Sequence, residues 1–102
     1  MAQTIAHIGT KHDLAAGEAF HLGQDEASAS ALMTALRRLV FAKADEPHCY
    51  KYPAALFEDY HLVSPPWRPH VLAATVYYAK GPADPDSPVM QRAREAVRPL
   101  PE

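Results

Sequence analysis

The chain carries six histidines among its 102 residues, His7, His12, His21, His48, His61 and His70. Imidazole is the commonest metal ligand, so metal binding is the first chemistry to weigh. A dedicated site normally shows paired ligands within one element, such as His-Glu-x-x-His or Cys-x-x-Cys, and neither pattern occurs. Two fragments come nearest. His48 and Cys49 are an adjacent N/S pair, and Glu58 and His61 form a single Glu-x-x-His whose i,i+3 spacing places both groups on one helix face. Di-iron bundles use that motif twice, with two further glutamates, and neither the second copy nor those partners is evident. A solvated helix pair is the simpler account of Glu58 and His61. No metal or other cofactor is therefore assigned, and His48, Cys49, Glu58 and His61 are the residues a metal would use.

Cys49 with a histidine would make a nucleophile and base, yet a lone cysteine usually packs as a small hydrophobe. No phosphate loop, nucleophile elbow or dinucleotide fingerprint appears. The residues favour a non-catalytic role over a small enzyme.

The other candidate stretch is Ser64 to His70, where Pro65, Pro66 and Pro69 stiffen the backbone around Trp67 and Arg68. Trp and Arg are enriched at binding hot spots, and a pre-ordered loop loses less entropy on docking. Alternatively, Trp67 turns inward as a lid on the core. The tyrosines Tyr50, Tyr52, Tyr60, Tyr77 and Tyr78 could line a pocket or an interface. Arg92, Arg94 and Arg98, with Arg37 and Lys43, could face nucleic acid. The net charge of −2 argues against that, because phosphate neutralisation requires basic excess. Pairing with Glu95 accounts for Arg92 and Arg98.

These residues need elements to hold them. The clearest is Asp25 to Asp45, the longest run free of Gly and Pro. Ala29, Leu32, Met33, Leu36, Leu39 and Val40 recur at helical spacing and span roughly 120° of arc, a core-facing stripe. Asp25 and Glu26 precede Arg37, Arg38 and Lys43, which suits the helix dipole. Phe41 falls almost opposite the stripe, among Ser30, Thr34 and Arg37. It needs a cover from this chain, a second subunit or a partner.

Alternation suggests short strands at 4–8 and 18–22, bounded by Gly9, Gly17 and Gly23. All ten prolines lie beyond residue 46, so the second half should consist of short elements and extended corners. Pro53 should open a helix through Val63, with 49–52 and 64–69 extended. Residues 71–79, VLAATVYYA, read as a central strand. Ser87 and Pro88 mark the start of a final helix on Val89, Met90, Ala93 and Val97.

The expected fold is one α+β domain spanning 1–102. A small, mainly antiparallel sheet packs against the 25–45 helix and two shorter helices. Two edge strands and Phe41 point to a homodimer as well. Neither a leader nor a membrane-length apolar run is apparent, so a soluble, cytoplasmic protein is expected. The leading functional expectation is a protein-binding module, an adaptor, regulator or inhibitor of a larger assembly, with Trp67, Arg68 and Phe41 as partner-binding residues. The rival is a metal- or small-ligand-binding protein built on the histidines and tyrosines.

Overall fold

The computed structural model describes residues 1–99, and its regular structure over these is all helical. Six α-helices follow one another: α1 Ala2–His7, α2 His12–Leu22, α3 Glu26–Lys43, α4 Pro47–Leu62, α5 Arg68–Thr75 and α6 Pro88–Ala96. A single 3-10 turn, Pro65–Trp67, leads into α5. The expected α+β fold is therefore corrected to an all-α bundle, and no strand occurs among the described residues.

α3 forms for the reasons visible in its sequence. The Asp25 carboxylate caps it, accepting from the Ser28 backbone N–H at 2.9 Å and from the Ser28 hydroxyl at 2.8 Å. Its stripe buries Ala29, Leu32, Met33 and Leu36 completely or nearly so. Leu39 and Val40 are half-buried. The helix ends at Lys43, four residues before Pro47, which opens α4 rather than merely closing α3.

None of the three expected strands forms. Residues 4–8 fall largely in α1, and residues 18–22 are the second half of α2. Gly17 interrupts the sequence pattern but not the helix, which buries Ala15, Ala16 and Ala19 on one face. Alanine's small side chain lets a neighbour approach closely, and α5 packs against α2 more extensively than any other pair of helices. A Cβ at Gly23 would lie 3.0 Å from Pro69, which marks how close the two segments come.

Residues 71–79 fold as the end of α5 and a following turn. Leu72, Thr75, Val76 and Ala79 are buried, at i, i+3, i+4 and i+7. That is a helical period, and it overrides the strand preference of Val, Thr and Tyr. Thr75 satisfies its buried hydroxyl by donating to the Val71 carbonyl at 2.9 Å. The proline-rich stretch is likewise more helical than its composition suggests. Pro47 starts α4 and Pro53 lies buried inside it. Arg68, although it precedes Pro69, adopts φ −59° and ψ −41°.

One core cluster joins these helices, with Ile8, Leu32, Leu36, Leu72 and Val76 at its centre. Two glycines close the N-terminal corner over it. Gly9 has φ +85°, and a Cβ on Gly81 would sit 1.8 Å from the Ile8 carbonyl oxygen, so only glycine fits there. α6 is attached differently. None of its residues is buried, and it packs chiefly on α3. The molecule measures 55 × 26 × 24 Å. No helix of the described residues is long and apolar enough to cross a membrane.

Candidate binding groove and the cleft beside it

Phe41 is not covered by the rest of the chain. It is 63% exposed and forms part of an apolar groove of about 930 Å³ between α3, α4 and the start of α6. α3 contributes Val40 and Phe41, and Ala44 follows as its C-cap. α4 contributes Tyr50, Ala54 and Phe57, which share a face at i, i+4 and i+7. Val89, 62% exposed, closes the far side from α6. The groove thus exists because the Phe41 side of α3 faces α4 and α6 across a gap that no side chain fills.

Its rim is charged, with Arg37, Lys51 and Glu58. The Arg37 guanidinium lies over the Phe57 ring, 5.2 Å from its centroid, a cation–π arrangement that covers part of the ring's face. Ser87 sits at the groove's edge, where its N–H donates to the Ala42 carbonyl at 2.8 Å and its hydroxyl caps α6 by accepting from the Met90 N–H at 3.1 Å. Lys43 and Arg94 both pair with Asp86, at 2.9 and 2.7 Å. α6, and with it Val89, is therefore held in place by polar contacts at its N-terminus. Those hydrogen bonds, first from Lys43 and then from Arg94, hold the Asp86 carboxyl below its ordinary value.

Arg37 also faces the other way, into a smaller cleft of about 270 Å³ that it shares with Glu26, Ser30, Tyr60, His61 and Arg68. Arg68 lies over the Tyr60 ring at 5.6 Å. Trp67, by contrast, is 61% exposed and touches His70, which in turn meets Phe20 edge-on. It is not a lid on the core. The structure brings Arg68 toward α3 and leaves Trp67 on the side of α2, so these adjacent residues serve different surfaces. Phe41 and Arg68 are linked only through Arg37, which lines both spaces.

The candidate metal ligands are not brought together. Among the described residues no group of three or more His, Cys, Asp or Glu is placed to hold a metal ion. His48 lies 3.3 Å from Glu46 and stacks on Tyr52. Glu58 belongs to the groove, and His61 packs edge-on to Tyr60 at the cleft. Burial first, and then the Glu46 carboxylate, push the Cys49 thiol above its ordinary value, which disfavours the thiolate a nucleophile needs.

His7 and His12 have structural partners of their own. His7 Nδ1 meets Glu18 Oε1 at 2.6 Å, tying α1 to α2, and the Thr4 hydroxyl donates to the same carboxylate at 2.9 Å. Burial pulls the Glu18 carboxyl up, but Thr4 and His7 together outweigh it and leave the group below its ordinary value. His12 stacks on Tyr77, whose hydroxyl donates to Asp13 at 2.7 Å.

Sequence reasoning named Phe41 and Tyr50 but did not find Phe57 or Val89 as their groove partners. The Tyr50–Ala54–Phe57 spacing is legible once α4 is started at Pro47. Nothing in the sequence says where Val89 lands. No family model, curated protein or solved structure matches this chain.

Proposed function

We propose that this protein is a non-catalytic protein-binding module, and that its groove receives an apolar-faced helix from another protein. The observation that carries this reading is the open apolar trough around Phe41, bordered by charge. A monomer rarely leaves a contiguous apolar surface of this kind without a use for it. Its walls run from Arg37 on α3 to the cap residue Ala44 and from Tyr50 to Glu58 on α4, each roughly 10–12 Å at about 1.5 Å per residue. That length matches two turns of a docked helix presenting anchors at i, i+3 or i+4, and i+7. Arg37 and Lys51 outnumber Glu58 on the rim, so the partner's flanking residues are acidic. Such a module acts as an adaptor, regulator or inhibitor by occupying a helix of a larger assembly. The lone free thiol of Cys49 fits a reducing compartment, and we place the module in the cytoplasm.

The test is affinity enrichment from the native host followed by reconstitution with the purified partner. A specific partner should be retained by the wild type and by Trp67→Ala, and lost by Phe41→Asp. If Phe41→Asp keeps every partner, the groove is not the binding surface. If the only partner recovered is a second copy of this chain, the groove is instead a homodimer interface.

A further inference from the structure

We propose that the cleft between α3, α4 and the start of α5 binds a small organic carboxylate, held between the guanidiniums of Arg37 and Arg68. Arg68 Nε is the one buried side-chain nitrogen or oxygen without a hydrogen-bond partner among the described residues. Nε itself is closed to solvent, so a ligand in the cleft meets the two terminal guanidinium nitrogens, which make no hydrogen bond among the described residues either. A charged group left so short of partners is costly. Neither Arg37 nor Arg68 is ion-paired to a carboxylate among those residues. Arg68 is moreover the first residue of α5, at the positive end of the helix dipole, where a cation is disfavoured unless an anion joins it.

The rest of the cleft defines the ligand. Glu26 is the one carboxylate lining it, so of the two guanidiniums one positive charge is left without a counterion. A singly charged carboxylate balances that, whereas a phosphate dianion would overshoot it. A planar carboxylate also matches the guanidinium fork in two parallel hydrogen bonds. The Ser30 and Tyr60 hydroxyls line the same space as further donors, while Met33 and the Tyr60 ring offer apolar surface to the body of the acid. The volume of about 270 Å³ far exceeds the roughly 30 Å³ share of one water, so the cleft has room for more than an inorganic ion. The cleft shares Arg37 with the groove but no other lining residue.

Benzoate titrated into the full chain, followed by the Arg68 Nε–Hε resonance in NMR spectra, tests it. A saturable shift is expected with a Kd on the order of 1 mM, in keeping with a ligand of this size. Arg37→Gln should weaken binding about tenfold or more by removing one charge-assisted fork, and Arg38→Gln, outside the cleft, should leave it unchanged. Arg37 is exposed, so its variant keeps the fold. The proposal is overturned if sodium chloride at equal ionic strength produces the same shift. It is overturned equally if the Phe41 amide responds in place of Arg68, or if Arg37→Gln binds as tightly as the wild type. Saturation by inorganic phosphate at lower concentration than benzoate would overturn the carboxylate assignment.

Discussion

Gly17 and Gly81 have the same side chain and opposite consequences. Gly17 lies in the interior of α2, and a Cβ built there meets nothing within 4 Å. Gly17→Ala should therefore stabilise the protein by about 0.5–1 kcal/mol, by reducing the freedom of the unfolded chain. At Gly81 the added Cβ would overlap the Ile8 carbonyl, backbone against backbone. Gly81→Ala should cost about 1–3 kcal/mol or more, as overpacking does. Chemical denaturation of the two variants reads both effects, and equal shifts would contradict the geometry. Trp67 is the only tryptophan and stands 61% exposed. Its emission should be red-shifted and readily quenched by iodide, whereas a blue-shifted, protected signal would place it inside the core. Neither glycine's role is legible in sequence, because each depends on what another segment brings to within a few ångströms.

Among the elements, α6 depends on charge where the others depend on burial. It contributes no buried residue, and Asp86 anchors its start through Lys43 and Arg94. The Asp86 carboxyl is held below its ordinary value of 3.8. A depressed carboxyl stabilises the fold fully above the unfolded value and loses that stabilisation as pH falls through the folded one. α6 should therefore loosen as pH drops below about 3.8. Amide exchange over 88–96 should accelerate there before the rest of the chain. Asp86→Asn should show the same loosening at neutral pH, and protection of 88–96 unchanged in that variant would rule the anchor out. The Ser87 cap and Pro88 start were readable from sequence, since capping is a contact between near neighbours. The docking of α6 on α3 through Asp86 and Lys43 was not, because the two lie 43 residues apart.

For the molecule as a whole, stability rests on the one cluster where α3 meets the helices around it. Leu36 is fully buried there, and Thr34 on the same helix is exposed, its hydroxyl donating to the Ser30 carbonyl at 3.1 Å. Leu36→Ala should cost roughly 2–5 kcal/mol. Thr34→Ala should change stability by less than about 0.5 kcal/mol. Trp67 fluorescence and circular dichroism should report the Leu36→Ala loss at one shared denaturation midpoint, because the helices draw on a common core. Separate midpoints would mean that α3 does not unite them.

What the sequence determined by itself was α3. Its facing, its Asp25 start and the place of Phe41 opposite the core stripe all follow from a long, Pro-free periodic run whose preferences agree with one another, whereas that Phe41 stays uncovered was decided by the tertiary structure. The same logic revealed α6, and it drew attention to Arg68 and Trp67 as unusual residues in a stiffened stretch. Only the tertiary structure decided that α2 and α5 are helices. Each is short and divided in the sequence by Gly17 or marked by strand-favouring residues, and either becomes stable only by packing its small-residue face on the other. Tertiary packing also decided the two binding surfaces. A groove is the space between elements, so Phe41, Phe57 and Val89 meet, and Arg37 reaches the cleft of Arg68, only once α3, α4, α5 and α6 have taken their places.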